Sequence, residues 1–142
     1  MKKSHHRLEA WKTALSLVKA IYSTTSSFPK SELYGLTSQM RRAAVSIPSN
    51  IAEGAARETT PEFLRFLYIA RGSLAELETQ ILIANDLGYM DELTPILDDL
   101  HRVSALLDGL IRSLKSRGSR TKEERPEYDE DRLIADAQTQ DP

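Results

Sequence analysis

The sequence predicts an all-α fold, an antiparallel up-and-down four-helix bundle with a flexible charged C-terminal tail. Three observations predict it. Four stretches place apolar residues at steps of three and four, and the links between them are only a few residues long. Aromatic residues make up 6% of the chain against 40% hydrophobic residues overall, a balance that suits a Leu/Ala-rich helical core better than an all-β one. At 142 residues the chain is long enough for one core and too short for two. The division expected is a bundle over residues 1–115 and a charged tail over residues 116–142.

Leu8, Trp11, Leu15, Val18 and Tyr22 form one apolar stripe with Lys12, Ser16 and Lys19 between them, which predicts a first helix from about Leu8 to Thr25. The run Ser26-Ser27-Phe28-Pro29-Lys30-Ser31 breaks the period. Ser31 is placed to cap a second helix starting near Glu32. That helix carries Leu36, Met40, Ala43 with Ala44, Ile47 and Ile51, and runs out at Gly54-Ala55-Ala56-Arg57.

Thr59-Thr60-Pro61-Glu62 opens the third helix, since a threonine cap, a proline in the first turn and an early acid all favour initiation. Its stripe reads Phe63, Phe66 with Leu67, Ala70, Leu74, Leu77, Ile81 and Ala84, and Gly88 after Asn85-Asp86-Leu87 is placed to end it in the left-handed conformation. The fourth stripe runs through Leu93, Ile96 with Leu97, Leu100, Val103, Leu107, Leu110 with Ile111, and Leu114, ending near Lys115. Beyond it Lys115, Arg117, Arg120, Lys122 and Arg125 form a basic stretch, and Glu127, Asp129, Glu130, Asp131 and Asp136 an acidic one. So little apolar surface predicts disorder there, or a short peripheral helix around Asp131 to Ala137.

Pro48 falls inside the second helix, where a lost backbone hydrogen bond costs about 3 kcal/mol and predicts a kink with a compensating contact. Gln39, Arg42, Ser46, Asn50 and Glu53 run past it at steps of three and four, and Arg65, Ser73, Glu76 and Gln80 offer a counterpart on the third helix. One reading is a solvated outer face. The other is a polar network in which Arg42 pairs with Glu53 or Glu76 and Asn50 caps carbonyls freed by the proline. Gly72 in mid-helix predicts a close helix crossing at that point, whereas Gly54 is also explained as a helix end.

Two of these segments, residues 39–54 (QMRRAAVSIPSNIAEG) and 70–78 (ARGSLAELE), resemble the signature of a bacterial four-helix-bundle family. It includes proteins encoded by intervening sequences of large-subunit ribosomal RNA and the accessory variability determinant of diversity-generating retroelements. The resemblance covers roughly Leu8 to Leu114. It implies a homopentamer of bundles around a central channel and, for the retroelement members, binding to reverse transcriptase and template RNA. It also implies a structural or assembly role for Arg42, Asn50, Glu53, Ser73 and Glu76. One departure is electrostatic: residues 1–114 hold 13 Lys/Arg against 13 Asp/Glu, whereas the retroelement members resemble basic proteins. The nucleic-acid contacts expected are therefore local, from Arg41, Arg42, Arg57, Arg65 and Arg71 repeated around an oligomer.

The chain carries no cysteine, which removes disulfides and thiolate metal sites. Charges interrupt the N-terminal apolar residues, so no secretory signal is expected, no uncharged run reaches membrane length, and the cytoplasm is the expected compartment. Asp98 and His101 stand three apart, like half of a di-iron bundle motif, but no second such pair accompanies them. His5 and His6 are expected to be solvated. Glycine-rich phosphate loops, nucleophile elbows and zinc-protease helices are absent from the sequence. Trp11, Tyr22, Tyr34 and Tyr68 are read as core or subunit-interface residues before base-stacking ones. The function expected is a self-associating, non-catalytic assembly or accessory protein without cofactor. The alternative is a metal-dependent bundle enzyme or small-ligand carrier.

Overall fold

The computed structural model describes His5 and residues 8–124, with side chains described up to Gly118. Four helices, α1 (Glu9–Thr25), α2 (Leu36–Ala55), α3 (Thr60–Asp86) and α4 (Thr94–Glu124), follow one another with a 3-10 turn at Lys30–Glu32 between the first two. Each packs on its neighbours in the order α1–α2–α3–α4–α1, leaving α1 diagonal to α3 and α2 diagonal to α4. This is the up-and-down arrangement that short connections enforce. Among the described residues there is no strand, and no helix is long and apolar enough to cross a membrane.

Local chemistry sets the helix ends. The Thr59 hydroxyl accepts the Glu62 backbone N–H, with Pro61 in the first turn of α3. At the far end Gly88 takes a φ of 80°, and the N–H groups of Tyr89 and Gly88 donate to the Ala84 and Asn85 carbonyls, a Schellman closure. Tyr89 then packs its ring 5.5 Å from Phe28, which fastens the α3–α4 link to the α1–α2 link at one end of the bundle. Two boundaries differ from expectation. Ser31 lies in the 3-10 turn and caps nothing; α2 begins after Gly35, which has no capping side chain. α4 continues past Lys115 to Glu124 because a formed helix extends at little cost per residue and no proline intervenes before Pro126. Residues 125–142, including the segment from Asp131 to Ala137, lie outside the described residues, and so does the flexibility expected of them.

The interior matches the stripes of α2, α3 and α4, with Met40, Ile47, Ile51, Leu67, Leu77, Ile81, Val103 and Leu107 all fully enclosed. α1 is the exception. Its enclosed face is Ala10, Ala14, Leu17, Ile21 and Thr25, not the expected stripe. Leu17 is 1% exposed, whereas Leu15 is 37% and Tyr22 45% exposed; Leu8, Trp11 and Val18 border the core without entering it. Two apolar faces run along this helix. The small alanines form the inner one because they let neighbouring backbones approach, and the bulkier face looks outward.

Candidate functional site

α2 passes through Pro48 as continuous helix, and the proline is buried. The carbonyl that lacks its usual donor is that of Ala44, four residues earlier. Asn50 does not reach it. Its amide donates instead to the Ser46 carbonyl at 2.8 Å and to the Ser46 hydroxyl at 2.9 Å, and that hydroxyl lies 2.9 Å from the Ser73 hydroxyl on α3. Ser46, Asn50 and Ser73 thus make a half-buried hydrogen-bonded seam between the two helices.

The remaining three residues of the expected network do not join it. Glu53 is exposed and pairs with Arg57 one turn on, at 3.2 Å. Glu76 is exposed and accepts from the Gln80 amide at 3.2 Å. Arg42 projects from α2 with no hydrogen bond or ion pair among the described residues, so its pairing with Glu53 or Glu76 is absent. The physical reason is that these positions fall on the solvent side of their helices, while Ser46 and Ser73 face each other across the α2–α3 contact.

At Gly54 α2 and α3 approach closely. A Cβ there would lie 2.8 Å from the Phe66 Cβ and 3.0 Å from the Phe63 ring. Gly72, where the crossing was expected, has nothing within 4 Å and is exposed. The close helix crossing expected at Gly72 therefore does not occur in this bundle, because the position lies on the solvent side of α3.

Of the arginines expected to contact nucleic acid, all but Arg42 rest on aromatic rings. Arg41 lies 4.6 Å above the Tyr22 ring and donates its Nε–H to the Thr25 hydroxyl at 2.9 Å. Arg57 and Arg65 lie 4.7 and 5.6 Å from the Phe66 ring centre, and the buried Nε of Arg65 has no hydrogen-bond acceptor among the described residues. Arg71 lies 4.7 Å and Lys115 5.5 Å from the Tyr68 ring, itself 2% exposed. Such stacking holds a cation in place while leaving its edge free to donate. Arg57, Arg65, Arg71 and Lys115 gather toward the end of the bundle where α2 finishes and α3 begins; Arg41 and Arg42 sit toward the other end.

That second end holds an open groove of roughly 590 Å³ between α1, the turn and α2. Tyr22, Leu33, Tyr34 and Val45 give it an apolar lining, Arg41 and Arg42 its charge, and no acid lines it. Tyr34 is 93% exposed. The opposite charge collects elsewhere. Residues 72–101 contain Glu76, Glu78, Asp86, Asp91, Glu92, Asp98 and Asp99 and no lysine or arginine. On this stretch the outer face of α3 exposes Leu82 and Ile83 beside Asp86. Periodicity gives Leu33, Val45, Leu82 and Ile83 no role; Leu82 and Ile83 stand off the core stripe of α3, which is the signal in the sequence that marks them.

His101 pairs with Glu78 of α3 at 2.9 Å, both exposed, and not with Asp98 on its own helix. No three His, Cys, Asp or Glu side chains converge as a metal site among the described residues. The His5 ring packs edge-on against Trp11 at 5.0 Å, so it is less solvated than expected; His6 lies outside the described residues.

No curated protein matches the chain. Comparison with protein families gives a match described as 23S rRNA-intervening sequence protein over residues 6–109, from the residues before α1 to the middle of α4. It spans both signature segments, the Ser46–Asn50–Ser73 seam, the groove and the exposed face of α3. The chain belongs to the 23S rRNA-intervening sequence protein family.

Proposed function

We propose that this protein is a self-associating, non-catalytic bundle protein that serves as an assembly or accessory component. The observation that carries this reading is the apolar surface left outside a finished core. Tyr22, Leu33, Tyr34 and Val45 share one groove, and Leu15 continues the same side of α1. Clustered exposure of large apolar side chains marks a docking surface, because water solvates it poorly and a partner can cover it. A second copy is the partner always at hand. The family resemblance implies a pentamer, and the uninterrupted apolar runs are too short for a membrane span, which supports the cytoplasm as its compartment.

Static or multi-angle light scattering on the full chain tests this. A particle of about five times the 16.0 kDa subunit is expected. A 16.0 kDa particle at all concentrations overturns self-association, and tightly held metal in that particle would support the alternative of a metal-dependent bundle enzyme or ligand carrier.

The ring-backed arginines support RNA as the further partner. Arg57, Arg65 and Arg71 are held by aromatic rings, which fixes their guanidinium groups toward one end of the bundle. Phosphate oxygens are the acceptors such donors suit. Mobility shift with structured RNA is expected to weaken steeply as salt rises. Absent or salt-independent binding removes RNA and leaves a protein partner, of which reverse transcriptase is the one the resemblance suggests.

A further inference from the structure

We propose that copies of this chain join head to tail, the α1–α2 groove of one receiving the outer α3 face around Ile83 of the next. The inference rests on the self-association reading and adds which surfaces meet.

Three observations carry it. The first is that the chain has two separate exposed apolar surfaces, not one. Tyr34 and Val45 belong to the α1–α2 groove, whereas Leu82 and Ile83 lie on α3, diagonal to α1 in the bundle. A contact that uses the same patch on both copies would cover one surface and leave the other wet. A head-to-tail contact covers both.

The second observation is charge. The groove holds Arg41 and Arg42 with no acid among its lining residues, and the α3 face lies within a thirty-residue stretch, 72–101, that has seven acids and no lysine or arginine. Two copies of the groove would repel each other; a groove and an α3 face attract. Arg42 and Asp86 are exposed and have no ion pair among the described residues, so each is available to the other across the contact.

The third is position along the bundle. The groove is built from the end of α1 and the start of α2, and Leu82, Ile83 and Asp86 from the end of α3, so both surfaces lie at the same end. Copies can therefore stand side by side with parallel axes, and a repeated side-by-side contact of unlike surfaces forms a ring when the rotation between copies closes. Gly72, with open space around it, sits on the same outward side of α3 as Ile83 and leaves room for the neighbour's backbone.

The test uses Tyr34→Asp to spoil the groove and Ile83→Asp to spoil the α3 face, both at exposed positions, in the full chain. Circular dichroism confirms that each variant is folded. Wild type is expected to form the large particle and each variant alone to be a 16.0 kDa monomer, since every contact needs one groove and one face. Mixing the two variants leaves one good groove and one good face, and a two-chain particle is expected. Separately, Arg42→Asp or Asp86→Arg weakens assembly at least about tenfold, and the two together in one chain restore it. If wild type assembles and Ile83→Asp assembles equally well, head-to-tail joining is overturned and self-association stands. A monomeric wild type overturns both.

Discussion

Gly54 and Gly72 each lie within a helix, where glycine costs about 1 kcal/mol relative to alanine, yet one is wedged against a neighbouring helix and the other faces open space. Gly54 lets α2 close on Phe63 and Phe66 of α3. Gly72 lets nothing in its own chain approach. The two faces of α1 repeat the contrast, with Leu17 enclosed and Leu15 exposed. The difference separates what builds the bundle from what the bundle presents, and in both cases residue type alone is silent about which is which.

The contrast along α1 is expected to give the largest effect. Leu17→Ala should lower stability by about 2–5 kcal/mol in urea unfolding, the range for emptying a leucine-sized volume in a core. Leu15→Ala should change the stability of the isolated subunit by no more than about 0.5 kcal/mol. Equal losses would erase the distinction between the faces.

Gly54→Ala comes next. With Phe66 Cβ 2.8 Å from the added methyl, overpacking should cost about 1–3 kcal/mol, read as a lower urea midpoint at unchanged slope. Asn50→Ala should cost about 1 kcal/mol, because it removes the amide that serves both the carbonyl and the hydroxyl of Ser46. Glu53, exposed and paired only along its own helix, should lose no more than about 0.5 kcal/mol on replacement by alanine.

Gly72→Ala should run the other way. In the isolated subunit it is expected to stabilise by about 0.5–1 kcal/mol, since the methyl meets nothing and the helix gains. The same substitution should weaken assembly if a neighbour's backbone lies there. A destabilised subunit would place Gly72 back inside the bundle.

The fold was largely readable from the sequence because periodicity and capping are local. Thr59 with Pro61, and Gly88 with its left-handed backbone, act within a few residues of themselves, so their roles are visible in the chain. The α1 stripe was misread because Ala10 and Ala14 carry little hydrophobic weight, although small size is what suits them to the interior. Of the candidate network, Asn50 and Ser73 are brought together by Ser46, a member of the polar stripe to which the family resemblance assigns no role. Arg42, Glu53 and Glu76 share the spacing yet lie on the outer side, a matter of helix rotation that a three-and-four pattern fixes only within a turn. Leu82 and Ile83 escaped notice because exposure is a property of the assembled bundle.

Hydroxyl-radical footprinting of the wild-type chain over a dilution series tests most directly whether the outward surface is made for docking. In a single subunit Tyr34 is 93% exposed and should label about as fast as a free tyrosine. At high protein concentration Tyr34 is expected to be strongly protected and to regain its reactivity as the sample is diluted, while the enclosed Tyr68 stays slow throughout. Tyr34 labelling that is fast and unchanged at every concentration would contradict the account.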